Sequence, residues 1–565
     1  MTIGRSNRKF IVIACAFIAV IATAPLLRWF LPWAHDLSFH LTRIEGVADG
    51  LRAGQFPVRI NPTFINGFGY ADPIMYPPLF LYFPALLRLV GVPQLFAYQI
   101  FIFTLNFGTA AIAYLCAKRF FKRRDTALFA AAAYTLCLYR FICIYTRAAL
   151  GEIIGMVFLP CILLGMYELL FGETRRALWL LIGGFAALVN AHVLSALIAA
   201  EVCAVIALFN LRRLFTKERL VILAQAVIAT ILLTLWVTVP MAHLGATPLR
   251  ASSVGAITAD NAAYPAELFS TFASARGLSK GLYEASSGMP LSVGGIFGAA
   301  ILCYLFLRFF RRGELRRDIE SGIRGAFFVA LGALWVCSTL FPWRAVEHIP
   351  LIGGVINSIQ FPWRYLGLAS VGLAVVLTFC VEYFAGDAGR RRGNVFLVCG
   401  IVILLAVSPF VDSYIQDPNA TTVLANSSDR APVNVIGGQE YLRRGDTKEA
   451  LEERGGDVVA EGLEVFNVKR DPLEFEVAFV DAENGSIELP LYYYPGYAAS
   501  VGNISAGTGG VVRVEALSGN GLLHVFYRAP TAYRVAEIIS ILSLILLTLW
   551  FRRDILNHYN FRRKD

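Results

Sequence analysis

Apolar runs of about twenty residues recur along this 565-residue chain, and short loops rich in Lys and Arg separate them. A bilayer core takes about 20 helical residues to cross, and a backbone inside it must satisfy its own hydrogen bonds. Such runs therefore fold as membrane helices. Only 16% of the residues are charged and 57% are hydrophobic, with a mean hydropathy of +0.60; soluble domains carry about 25% charge. The run at 11–24 has the length of a signal peptide, but Pro25 follows the small-residue triplet and the apolar stretch continues to Trp33. An uncleaved first span is the expectation.

Net charge is +10, unevenly distributed. Between Asp412 and Pro530 there are 9 basic and 18 acidic residues, which leaves the remainder at +19. That excess sits in loops at 5–9, 118–124, 175–176, 212–219, 308–324, 390–392 and 552–564. This is the positive-inside pattern of membrane proteins, not a nucleic-acid footprint. With every basic loop in the cytoplasm, about twelve spans follow: 10–33, 95–117, 126–145, 153–171, 177–192, 194–210, 219–241, 289–310, 324–342, 363–386, 395–412 and 532–551. Both termini are then cytoplasmic. The proline-rich stretch 76–91 reads as an interfacial or re-entrant helix, because counting it as a crossing would put 118–124 outside.

On this topology the longest cytoplasmic loop, about 311–325, is too short to fold as a domain. The chain has no Walker A motif, no Gly-x-Gly-x-x-Gly and no Asp-x-Asp. The sizeable extramembrane sequence lies outside, at 34–94, 242–288, 343–362 and 413–531. The last of these alternates in strand fashion, with Leu473, Phe475, Val477 and Phe479 on one face and Glu474 and Glu476 on the other. Further strands are expected at 463–468, 486–494, 511–514 and 522–527, forming a small all-β sandwich that binds rather than catalyses. The expected domains are 1–412 (membrane bundle with the long outer loop 34–94), 413–531 (β domain), and 532–565 (last span and basic tail). All ten cysteines fall in or beside apolar runs, none in the β segment, and none has metal-ligand spacing.

Candidate chemistry clusters on the outer side. Asp36 follows the first span, and a helix would put it on one face with His40 and Arg43, at i, i+4 and i+7; His35 precedes it. An acid, an imidazole and a guanidinium at a lipid–water boundary suit work on a phosphorylated lipid, and equally suit an amphipathic surface helix. Asn66-Gly67-Phe68-Gly69-Tyr70-Ala71-Asp72, leading into Tyr76-Pro77-Pro78, reads as a binding loop or as plain turn chemistry. Arg147 and Glu152 share a short outer loop, as a structural ion pair or as functional charges. In Gln360-Phe361-Pro362-Trp363-Arg364, Arg364 reads as an interfacial anchor or as a phosphate clamp, since a guanidinium meets phosphate oxygens two at a time. Arg59 and Arg43 are further phosphate-binding candidates. His192 and Glu201 lie in apolar sequence; a packed core histidine is the simpler reading of the first, and Glu201 has no assignable partner.

Taken together, His35-Asp36-Leu37-x-Phe39-His40-Leu41-x-Arg43-Ile44, Gly67-Phe68-Gly69-Tyr70, Tyr76-Pro77-Pro78-Leu79, Arg147-x5-Glu152, Gln360-Phe361-Pro362-Trp363-Arg364 and Glu440-Tyr441-Leu442 resemble the GT-C glycosyltransferase superfamily. More closely they resemble the bacterial YfhO-like membrane proteins. That group overlaps proteins labelled 6-pyruvoyl-tetrahydropterin synthase-related, a name that nothing in the sequence supports.

The resemblance implies a polytopic enzyme of the bacterial cytoplasmic (inner) membrane with its active site on the outer face. It would transfer a sugar, with inversion, from a polyprenyl-phosphate donor to a cell-envelope glycan, lipid or protein. Asp36 would be the general base, with Glu152 and Asp72 as second choices. Arg147 and Arg364 would neutralise the donor phosphate, and His35, His40, Tyr70, Tyr76, His192, Gln360 and Trp363 would line the site. The superfamily is mixed in its metal use, so a divalent ion is compatible, although no metal triad is legible. The alternatives are a transporter or flippase for a lipid-linked glycan, against which the lack of internal repeats counts, and a non-catalytic envelope scaffold.

Overall fold

The computed structural model describes the chain except for residues 1–4, 254–257, 272–288, 312–316, 351–352, 355–357, 388, 418–420, 427, 429, 432–435, 437–438 and 562–565. The end of the basic tail, Arg562 to Lys564, and parts of the loops at 242–288 and 308–324 thus lie outside the described residues. The protein is a predominantly helical polytopic membrane protein with a C-terminal β-sheet domain.

Eight described helices are long and apolar enough to cross a bilayer: Arg8–Leu26, Gln94–Phe121, Leu150–Phe171, Lys217–Gly245, Ile319–Cys337, Pro362–Ala385, Gly389–Ile415 and Thr531–Asp554. A ninth is the pair Arg124–Thr135 and Leu138–Arg147, bent by 45° at its break. The other three expected spans are also helices, shorter or less apolar than these. Val193–Phe209 and Gly295–Phe310 are short apolar helices, and Thr174–Ala191 opens with Arg175 and Arg176. The stretch expected to lie at the interface contains the short helix Leu79–Leu89.

By contact density the chain forms two compact units whose boundaries differ from the expected domains. The first comprises Met1–Leu37, Tyr98–Thr230 and Ala256–Ala425; the second comprises Ser38–Ala97, Ile231–Gly255 and Asn426–Asp565.

In the first unit, Pro362–Ala385 and Leu150–Phe171 are apolar all round and largely buried, as central helices must be. Small residues let neighbours approach closely. A Cβ at Gly372 would sit 2.5 Å from the Ala326 carbonyl oxygen, so a larger residue there would force two helices apart. Gly389–Ile415 instead presents Leu397, Val398 and Leu405 on its surface, a face suited to lipid. Strand β1 (Phe30–Pro32) pairs antiparallel with β2 (Thr422–Ala425) and fixes the segment leading to Asp36.

The second unit is built on one antiparallel sheet. Its strands are β3 (Val459–Glu461), β4 (Glu464–Asp471), β5 (Glu474–Tyr492), β6 (Tyr497–Ala499), β7 (Asn503–Ala506) and β8 (Val511–Tyr527). The order is β3-β5-β8-β6, with β4 also on β5 and β7 on β8. The expected alternation holds, since Leu473, Phe475, Val477 and Phe479 are all buried. The expected two-sheet sandwich is instead one hydrogen-bonded sheet. The segments read as 473–479 and 486–494 join into β5, and those at 511–514 and 522–527 join into β8. Register shifts between Phe479 and Ile487 absorb the bends, and bulges of this kind turn a strand without ending it.

The turn 61–76 packs into the sheet's core: Phe64, Phe68, Tyr70 and Ile74 share a cluster with Leu473, Tyr492 and Val525. The last membrane helix joins this unit through Ser540, whose hydroxyl donates to the Leu232 carbonyl at 2.9 Å and accepts from the Trp236 amide at 3.1 Å.

Candidate active site

The first unit gathers most of the candidate residues. Asp36 stands just before a helix, Leu37–Arg52, and not within it as the i, i+4, i+7 spacing supposed. Its backbone is held from the neighbouring loop: the His35 amide donates to Thr146 O at 3.1 Å and the Asp36 amide to Arg147 O at 2.8 Å. On the other side the Trp33 amide donates to Thr421 O at 2.7 Å. Asp36 is half-buried and His35 exposed.

Arg147 closes a π-helical turn, Ile142–Arg147, and Ala148 after it is left-handed (φ 50°). Wide turns of this kind concentrate at functional sites. Glu152 lies in the first turn of the next helix. Its Oε1 accepts from Arg147 Nη2 at 2.7 Å and from Arg364 Nε at 3.4 Å, and its Oε2 from the Tyr139 hydroxyl at 2.9 Å. Two guanidiniums thus share one carboxylate, and Arg147 and Glu152 are about 5% exposed.

Arg364 comes from a turn preceded by Gln360 in the left-handed region (φ 63°), so both arginine-bearing turns contain a strained non-glycine residue. Gln360 points its carbonyl toward the Asn261 amide at 3.5 Å. Trp363 stacks on Phe361 at 4.4 Å and faces Arg147 at 5.8 Å. His192 starts a helix, bonds the Ser195 hydroxyl at 2.7 Å, and is close enough to Glu152 to interact electrostatically.

The second unit holds the other candidates. Arg43 donates to Asp72 Oδ2 at 3.0 Å and to Tyr76 O at 2.7 Å, lies 3.9 Å over the Tyr76 ring, and meets His40 Nδ1 at 3.4 Å. Asn61 donates to the other Asp72 oxygen. Arg43 and Asp72 are both fully buried, and burial pushes the Asp72 carboxyl up to about 6, although Arg43 and Asn61 pull it down. Tyr70 accepts from the Tyr441 amide at 3.0 Å. Arg43, Asp72, Tyr70 and Tyr76 therefore pin the turn 61–76 in place. Arg59 pairs with Glu537 at 2.7 Å and donates to Trp236 O at 2.9 Å.

Several partners were not legible beforehand. Glu201 accepts from the Tyr365 hydroxyl at 2.5 Å, and only the adjacency of Tyr365 to Trp363-Arg364 pointed that way. Tyr139 and Glu537 had no sequence signal. Among the described residues no His, Cys, Asp and Glu gather into a group able to hold a metal ion.

No known family's sequence profile matches the chain. It is 24% identical over 195 residues to an uncharacterised protein of Lactococcus lactis subsp. cremoris, a match covering 33% of this chain and 31% of that protein. In structure it is similar to the arabinofuranosyltransferase AftD from Mycobacteria: TM-score 0.47, 15% identity, covering 73% of this chain and 27% of that one. It is also similar to the Archaeoglobus fulgidus oligosaccharyltransferase in its apo form: TM-score 0.37, 14% identity, covering 73% and 56%. The chain spans about a third of the length of its curated relative and about a quarter of AftD.

Proposed function

We propose that this protein is a membrane glycosyltransferase of the GT-C kind, taking a sugar from a polyprenyl-phosphate donor and working at the outer face of a bacterial cytoplasmic membrane. The observation that carries the reading is the backbone tie between Asp36 and Arg147. It fixes the backbone of the half-buried Asp36 against that of Arg147, whose guanidinium shares Glu152 with that of Arg364. Two guanidiniums meet at this one carboxylate, and a phosphate can engage them through charge-assisted hydrogen bonds.

In the reaction, the acceptor hydroxyl loses its proton to Asp36 as its oxygen attacks the anomeric carbon. The bond from that carbon to the phosphate oxygen breaks, and the phosphate leaves with the electron pair. Attack opposite the leaving group inverts the anomeric centre. Arg147 and Arg364 offset the charge that develops on the phosphate, and Glu152 with Tyr139 holds both guanidiniums in position. Glu152, already committed to three donors, and the buried Asp72 are poorer bases than Asp36.

Asp36→Asn keeps the side-chain shape and removes its basicity. Transfer from a polyprenyl-phosphate sugar should fall by about 10²–10⁴-fold, with donor binding intact. Near-normal transfer by Asp36→Asn would remove the base from the mechanism and favour a carrier of lipid-linked glycans.

A further inference from the structure

Arg140 is fully buried within the first unit, in the first turn of the helical segment Leu138–Arg147. Its Nη1 donates to the Ile153 carbonyl at 3.2 Å and its Nη2 to Asn106 Oδ1 at 3.1 Å, while its Nε has no hydrogen-bond partner. Both acceptors are neutral, so among the described residues no carboxylate pairs with this guanidinium. A guanidinium cannot shed its proton to escape the cost of burial, and the start of a helix disfavours a cation. Uncompensated charge inside a membrane bundle is expensive and marks function. We infer that Arg140 is a fixed counter-charge for the phosphate head group of the lipid, making the site favour a phosphate monoester, with two negative charges, over a phosphodiester, with one. The inference rests on the reading of Arg147 and Arg364 as the phosphate site.

Ile153 directly follows Glu152, so the 3.2 Å contact holds Arg140 next to the residue that Arg147 and Arg364 share. Cys143, one turn on from Arg140, links the two: its thiol meets Glu152 Oε2 at 4.0 Å and Arg147 Nη1 at 3.9 Å. The seven-residue step from Arg140 to Arg147 spans roughly 10 Å along a helix. Arg140 therefore acts on a phosphate at Arg147 through space. At that distance, with an effective dielectric constant of about 20, one extra unit of negative charge is favoured roughly tenfold. The donor phosphodiester carries one charge, and the leaving phosphate gains the second as its bond to the anomeric carbon breaks. Only an interaction that strengthens along that path speeds the step, and the attraction of Arg140 for the phosphate does so.

The test measures binding to the full chain in nanodiscs at pH 8, where a phosphate monoester, with its second pKa of about 6, is a dianion. The probes are a polyprenyl phosphate and its methyl ester, a phosphodiester of the same chain. Wild type should bind the monoester about tenfold more tightly or better. Arg140→Gln should remove about tenfold of that preference, and Arg140→Lys, which restores the charge, should recover it. Asn106→Asp keeps the side-chain shape and sets a carboxylate against Arg140, so it should erase the preference in a protein that still has its arginine and its hydrogen bond. A merely structural Arg140 would leave the ratio of the two affinities unchanged in all three variants. The inference is overturned if wild type binds both lipids equally, if Arg140→Gln and Asn106→Asp both keep the preference, or if inorganic phosphate binds more tightly than either lipid. Equal binding of the two lipids leaves the transferase reading standing, whereas binding of neither removes the phosphate site and this inference with it.

Discussion

Glu152 is the hub of the candidate site, and its removal should have a different signature from removal of either arginine. Glu152→Ala leaves Arg147 and Arg364 facing each other without their shared carboxylate. Stranding a buried charge costs about 3–5 kcal/mol, and here two are affected. Arg147→Ala takes away the 2.7 Å contact, but Glu152 keeps Arg364 and the Tyr139 hydroxyl. The loss should then approach that of one charge-assisted hydrogen bond, about 1.5–3 kcal/mol. Arg364→Ala, losing a 3.4 Å contact from a less buried group, should cost less again. The double variant Arg147→Ala/Arg364→Ala should cost more than the two singles combined, because only then does Glu152 lose its last guanidinium; groups sharing one partner are not additive. Denaturant-induced unfolding in mixed micelles would measure the four free energies. Donor titration of the folded single-arginine variants should show weakening by about tenfold or more. The reasoning fails if Arg147→Ala is as destabilising as Glu152→Ala, or if the double variant is simply additive.

Other consequences can be checked separately. Asp72→Asn and Arg43→Ala should each destabilise the protein by about 3–5 kcal/mol, because each breaks a buried pair; stability like that of wild type would free Asp72 for a catalytic role. The Asp72 carboxyl, lifted to about 6 from 3.8, binds a proton more tightly in the folded than in the unfolded chain. Its contribution to stability is therefore fully present below the unfolded value and is lost as pH rises toward 6. Carboxyl-carbon NMR should find the midpoint, and a value at or under 3.8 would mean that Arg43 outweighs burial. Cysteine-accessibility labelling from outside should reach positions near Asp72, Ala262 and Gly485 but not near Arg123 and Arg391; labelling at 123 would invert the topology. Glu537→Gln should strain the site of Arg59 and lower the unfolding temperature, whereas an unchanged value would show the Arg59 pair to be dispensable.

The sequence by itself determined the membrane class, the positions of the helices and the facing of the first β segment. These depend on local physics: a bilayer demands long apolar helices, and a half-buried strand alternates with period two. The proximity of Asp36 to Arg147 was not legible, because it arises from two backbone hydrogen bonds between segments more than a hundred residues apart. No periodicity encodes such a contact. The sharing of Glu152 by Arg147 and Arg364 likewise needs three helices to converge. Tertiary structure also divided the candidates, turning Arg43 and Asp72 into a buried strut beneath the turn 61–76. It carried β5 and β8 through bends that read as chain breaks, since Asn484 and Gly485 look like turn residues locally. Cross-strand hydrogen bonds, which exist only once the sheet forms, hold the strands continuous across their bulges.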